Sequence, residues 1–169
     1  MVSPELIRRY PIFAGLSFDQ ITILADLAEE MGVNADYYFF QEGEELDHFY
    51  IVVEGRVGIF AELPAQGVRE PVSRQLTGNL VSEEFLVSTI EPGEMFAWSA
   101  LIPPHTATSS AKALAASNVL TFDCVKMRKI FQEDCRFAYL MAQKGAQRIR
   151  HRLRDMRIES LSLKELAIP

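Results

Sequence analysis

Little in this chain of 169 residues invites covalent or metal chemistry. Its two cysteines, Cys124 and Cys135, have no metal-ligand partners at useful spacing, which excludes a zinc knuckle or a disulfide framework. So few thiols suit a reducing cytoplasm, with both read as buried structural groups. The three histidines, His48, His105 and His151, lie far apart and show no H-x-H spacing, so neither a metal nor a cofactor is expected. No Ser-His-Asp or Cys-His arrangement has a supporting motif, so no enzyme is expected. No apolar run approaches the roughly 20 residues of a membrane span. Residues 1–13 lack the apolar core of a signal peptide, and the expected location is the cytoplasm. The net charge of −6 argues against a nucleic-acid binder as a whole. Lys and Arg are missing altogether between Gln75 and Ala111.

What is present points to one well-packed domain. Hydrophobic residues make up 49% of the chain, and its length supports one substantial core rather than two. Ser17 is placed to cap a helix over residues 18–31, where Ile21, Leu24, Ala25, Leu27 and Ala28 recur at helical spacing. After Asn34 the pattern turns extended: residues 37–41, 49–53 and 56–63 are rich in β-branched and aromatic side chains. Gly43 and Gly55 mark turns between them. Residues 63–78 read as an irregular connection and residues 80–91 as strand; residues 109–116 and 118–122 complete the set. Helical spacing resumes at Val125. Many short strands with helices segregated to the ends predict a closed or nearly closed β unit.

Two stretches carry more specific information. One is FFQEGEELDHFYIVVEGRVGIF, residues 39–60; the other is GEMFAWSALIPPHTATSSAKA, residues 93–113. Gly43, Asp47, Phe49, Tyr50, Ile51, Val52, Glu54, Gly55, Val57 and Ile59 fall in register with a family string, F-x-E-G-E-x-x-D-x-F-Y-I-V-x-E-G-x-V-x-I. Together with the opening RRYPIFAGLSFDQITILADLAEEM, the chain resembles the cyclic-nucleotide-binding domain superfamily, the type found in catabolite activator proteins and kinase regulatory subunits. The resemblance covers residues 10–150. It implies a mainly β fold: a double-stranded, jelly-roll-like β-roll with N-terminal and C-terminal helices. The implied organisation is a helical segment over residues 1–36, the roll over 37–123 and C-terminal helices over 124–169. Only about a dozen residues follow Arg157, so no helix-turn-helix is expected, DNA is not an expected partner, and the domain is expected to stand alone.

By the same resemblance, residues 93–113 are a phosphate-binding cassette. The family pattern is G-E-x-F-G-E-x-A-L, a loop, then R-x-A-T-x-x-A. Gly93, Glu94, Phe96, Ala100 and Leu101 match it. The family Gly is Ala97, the ribose-binding Glu is Trp98, and the phosphate-binding Arg falls at Ala107, or at Thr106 if the loop slips one place. The implied pocket is Phe96, Ala97, Trp98, Ser99, Ala100, His105, Thr106, Ala107, Thr108 and Ser109.

A buried cyclic phosphodiester normally needs a guanidinium, and a ribose hydroxyl prefers a carboxylate acceptor. Trp98 offers an indole donor and an apolar face instead. Losing one charge-assisted hydrogen bond to a buried group costs about 2–5 kcal/mol. Cyclic AMP in the usual mode is therefore not expected. Trp98 either plugs the vacated pocket or stacks on a ligand; His105 reads as an exposed loop residue, and Met95 and Phe96 as core. Alternation along a strand turns about half of Thr106, Thr108, Ser109 and Ser110 outward.

Residues 137–166 read as a long helix, broken near Ser160, with an apolar stripe of Leu140, Met141, Ile149, Leu153 and Met156. Arg148, Arg150, Arg152, Arg154 and Arg157 read as its solvated face. The leading functional expectation is a regulatory domain that senses a small-molecule or nucleotide-like ligand. It would signal through residues 120–131 and the last helix to a protein partner or, as a homodimer, to a second copy. The alternatives are a protein-interaction module with a closed pocket and a binder of a different small ligand.

Overall fold

The computed structural model describes residues 2–64 and 82–166. A short helix α1 (Pro4–Arg8), a 3-10 turn (Pro11–Phe13) and helix α2 (Phe18–Asp26) lead into eight strands. These are β1 (Ala28–Val33), β2 (Tyr38–Phe40), β3 (His48–Glu54), β4 (Val57–Pro64), β5 (Ser82–Ile90), β6 (Met95–Phe96), β7 (Ser110–Ala113) and β8 (Ser117–Asp123). A second 3-10 turn (Trp98–Leu101) lies between β6 and β7, and helices α3 (Cys124–Glu133) and α4 (Cys135–Leu166) follow. The strands form two four-stranded antiparallel sheets, in the orders β1-β8-β3-β6 and β2-β7-β4-β5. The mainly β roll with helices at both ends is thus present. The connection over residues 63–78 and the start of the 80–91 strand fall largely outside the described residues.

Helix α2 is shorter than its apolar spacing predicts. Ser17 and Gln20 form a reciprocal cap: the Gln20 N–H donates to Ser17 Oγ at 3.2 Å, and the Ser17 N–H donates to Gln20 Oε1 at 3.1 Å. The helix nevertheless stops at Asp26, and residues 28–33 become β1, paired along their whole length with β8 from Ala28–Phe122 to Val33–Ser117. Gly32 and Val33 are weak helix formers, and this pairing supplies backbone partners that a helix extension would forgo. The roll therefore begins nine residues before Tyr37.

The core lies between the sheets and under the terminal helices. Phe49 stacks on Phe122 with ring centroids 4.4 Å apart, and Phe13 closes on Phe122 at 5.7 Å. Gly55 is required where the β3–β4 turn meets the start of β8. Its φ is +84°, and a Cβ there would sit 2.3 Å from Ser117 Oγ and 2.6 Å from the Ala116 carbonyl oxygen.

The first half of α4 is fixed to this core. Phe137 and Met141 are fully buried, and the Phe137 N–H donates to Asp134 Oδ1 at 2.9 Å. Gln20 Nε2 donates to the other oxygen of Asp134 at 3.2 Å, and Lys144 Nζ donates to the Ala14 carbonyl at 2.6 Å. Of the thiols, Cys124 is buried, and burial pushes its pKa up to about 12; Cys135, expected to be buried, is exposed at the start of α4.

Candidate functional site

A cavity of about 640 Å³ opens between the cassette, the β4–β5 sheet and the second half of α4. That is within the usual range for small-molecule sites. The cassette wraps one side of it. Gly93, with φ +86°, makes the turn before β6, and Ala97 adopts the left-handed conformation at φ +66° and ψ +38°. Left-handed backbone favours glycine. Alanine holds that conformation here, so the backbone shape survives at a position where the resemblance expects Gly. The 3-10 turn over Trp98–Leu101 follows at once, bonded from the Ala100 N–H to the Ala97 carbonyl at 3.1 Å.

Eight of the ten pocket residues expected from the sequence line this cavity: Phe96, Ala97, Trp98, Ser99, Thr106, Ala107, Thr108 and Ser109. Phe96 is also core, as expected, stacked on Tyr50 at 5.0 Å. Ala100 is absent from the lining, because its side chain is fully buried behind the cassette. Its carbonyl accepts 2.8 Å from Arg128 Nη1 of α3; the same guanidinium reaches Asp47 Oδ1 at 3.1 Å. His105 is likewise outside the lining and is half-buried, not the exposed loop residue expected. Its φ is +63°, its carbonyl accepts from the Leu46 N–H at 2.7 Å, and its Nδ1 is buried with no partner among the described residues.

Trp98 lines the cavity and also packs against the core and the last helix. Its ring lies parallel to Phe49, with centroids 6.3 Å apart, and its six-membered edge rests on α4 at Gly145. The indole thus joins cassette to helix while the cavity beside it stays open.

The charged part of the site comes from a place that cassette reading cannot reach. Arg148, Ile149, Arg152, Asp155 and Met156, all on α4, line the same cavity. Arg148 Nη2 donates to Glu94 Oε1 of the cassette. The second oxygen of Glu94 accepts from the Glu91 N–H at 2.9 Å. Although Arg152 as a residue remains exposed, its guanidinium end is crowded: partial burial first, then the like charge of Arg148, hold its pKa below the ordinary value. Arginine stays cationic through such a shift. Two of the five arginines expected on a solvated face therefore turn inward. The signal was an i, i+4 pair, Arg148 and Arg152, which shares one helix face with Asp155, an apolar pair at i, i+7 (Ile149 and Met156) beside it. Among the described residues no cluster of His, Cys, Asp or Glu could hold a metal ion, and no helix is long and apolar enough to cross a membrane.

A roll of two antiparallel sheets, with a glycine-turned cassette facing a cavity under a long helix, defines a double-stranded β-roll with terminal helices. The model of the cyclic nucleotide-binding domain matches residues 32–134. The chain belongs to that family. It is 27% identical over 119 residues to a CRP-like cAMP-activated global transcriptional regulator of Mycobacterium tuberculosis, a match covering 70% of this chain and 46% of the regulator. The chain thus spans about half the length of the curated relatives it matches. A candidate cyclic nucleotide-binding protein from Geobacter metallireducens GS-15 superposes with a TM-score of 0.72 at 25% identity, covering 90% of this chain and 99% of the other. The regulatory domain of Toxoplasma gondii PKA, solved with cAMP, shares the fold at a TM-score of 0.62 and 18% identity, over 85% of this chain and 48% of the other.

Proposed function

We propose that this chain is a regulatory, non-enzymatic ligand-sensing domain that does not hold cyclic AMP or cyclic GMP in the family's usual way. One observation carries the reading. The positions where the resemblance expects a ribose-binding Glu and a phosphate-binding Arg are Trp98 and Ala107, both facing the cavity, and the guanidiniums nearest it belong instead to α4. A nucleotide seated against the cassette would forgo both charge-assisted contacts, each worth about 2–5 kcal/mol when buried. An open cavity beside Trp98 weighs against the closed-pocket interaction module.

The ligand-responsive element is α4, which contacts both cassette and cavity. Ile149 and Leu153 are exposed on it, which favours pairing with a second copy of the chain. Two unpaired thiols suit a cytoplasmic setting. Isothermal calorimetry with cyclic AMP and cyclic GMP tests the central statement. No heat of binding is expected at low micromolar concentration. A dissociation constant below about 1 μM, some −8 kcal/mol, would overturn it. Trp98→Glu together with Ala107→Arg should raise affinity for cyclic AMP, because the backbone shape of the cassette is in place.

A further inference from the structure

One of the two guanidiniums at the cavity has no carboxylate within salt-bridge reach among the described residues. Arg148 has Glu94 as its partner. Arg152, one turn further along the same face, makes no ion pair among the described residues, and Asp155 beside it on the helix is not within salt-bridge reach. The two guanidiniums stand one turn apart at the cavity, and among the described residues only Glu94 pairs with either of them, which leaves Arg152 free to receive an anion. Independently, two buried polar groups of cavity-lining residues lack hydrogen-bond partners among the described residues: Ser88 Oγ on β5 and Trp98 Nε1 on the cassette. Buried polar atoms without partners are uncommon, and these two, closed off from the open cavity, gain partners only if the wall rearranges around an occupant. Phe40, Leu46, Ile59 and Met156 give the wall an apolar part, beside the hydroxyls of Ser99, Thr106, Thr108 and Ser109.

We propose that the cavity binds an organic anion, a carboxylate or phosphate on an apolar body, whose charged end is clamped by Arg152 and Arg148 of α4, with Glu94 as the internal stand-in that the anion displaces from Arg148. The inference rests on the sensor reading above and names the ligand class of the same cavity. The clamp sits on the helix, not in the cassette. Binding therefore exchanges a cassette–helix ion pair, Glu94–Arg148, for a ligand–helix contact, and the hold of the cassette on α4 becomes dependent on occupancy.

The test uses the whole chain and two fluorescent probes of nearly the same shape: 8-anilinonaphthalene-1-sulfonate, an anion on an apolar body, and the neutral N-phenyl-1-naphthylamine. The anionic probe should bind saturably at one site and weaken as salt is raised. Arg152→Met should weaken it about tenfold or more while leaving the neutral probe unchanged, whereas Glu94→Gln, which keeps the acceptor for the Glu91 N–H but frees Arg148, should tighten it severalfold. Far-UV circular dichroism checks that each variant is folded. If Arg152→Met loses helix, Arg152→Gln and the salt dependence of the unaltered protein give the same reading. Displacement by phenylacetate or by phenyl phosphate identifies the preferred charged group. Equal weakening of both probes by the arginine substitution, anionic binding indifferent to salt, or displacement by neither competitor would overturn the clamp. Those results would leave the sensor reading standing. Submicromolar cyclic AMP binding would remove the statement about the usual mode without touching the probe results.

Discussion

Gly145 of α4 sits directly against the indole of Trp98: a Cβ at position 145 would lie 3.2 Å from Trp98 Cε3 and 3.5 Å from Cζ3. The absence of a side chain at one helix position lets the cassette and the last helix touch. Trp98 is also the chain's single tryptophan, so its emission reports on this contact.

Gly145→Val should therefore push α4 off the cassette. The expected result is a red shift of tryptophan emission as the indole gains water, with helix content little changed and the roll still folded. Gly145→Ala is the graded control. It gains about 1 kcal/mol of helix propensity and loses some of that to a contact a few tenths of an ångström too tight, so its net effect on stability should be small. Emission identical in wild type and Gly145→Val would show that the contact does not form in solution.

Arg128 ties α3 to the back of the cassette through the Ala100 carbonyl at 2.8 Å and to the β2–β3 turn through Asp47 at 3.1 Å. Arg128→Ala takes the side-chain donor from the carbonyl of buried Ala100, and we predict a loss of about 1–3 kcal/mol in urea unfolding. Asp47 is half-exposed, so Asp47→Ala should cost about 1 kcal/mol or less. Equal losses from the two substitutions would place the energy in the ion pair instead of the carbonyl contact.

Acid should loosen the C-terminal helices first. Burial alone would raise the pKa of Asp123, but the Lys126 N–H and ammonium outweigh it and hold the carboxyl below its ordinary value. The Phe137 N–H, with Gln20, does the same for Asp134. A carboxyl with a depressed folded-state pKa adds stability that is complete above the ordinary value near 4 and is lost as pH falls through the lower folded value. Asn is also a good N-cap, so Asp123→Asn should be near wild type at pH 7 and flatten the loss of stability below about pH 4. Urea midpoints measured from pH 7 to pH 2 compare the two slopes, and parallel slopes would refute the assignment.

Leu153 is about half exposed on the stretch of α4 whose neighbouring residues line the cavity, while Met141, earlier in the expected stripe, is buried in the chain's own core. The stripe is thus divided: its first part folds back on the roll, and only Ile149 and residues beyond it remain for a second copy. We predict a dimer at tens of micromolar, with Leu153→Asp reverting it to a folded species near 19.1 kDa. Light scattering that finds 19.1 kDa for the unaltered chain would assign the exposed face to some other protein.

Much of the roll was legible in the sequence because its signals are local. Alternating strands between Gly43 and Gly55, and the helical spacing after Val125, depend on residues close in the chain. So does the outline of the cassette, where eight residues expected to line a pocket do so. The end of α2 was not legible. Residues 28–31 continue a helical pattern, and only the distant β8, about 90 residues along, turns them into a strand. The charged half of the site was hidden for the same reason. Arg148 and Arg152 stand more than 50 residues from Glu94 in sequence, and five arginines on one helix look alike until packing chooses which of them face inward. Local periodicity determined the elements, and the resemblance of the cassette to its family outlined one side of the pocket. Long-range pairing and the docking of α4 at Gly145 decided where the roll begins and which cations the cavity holds, because both depend on contacts between segments whose separation along the chain carries no periodic trace.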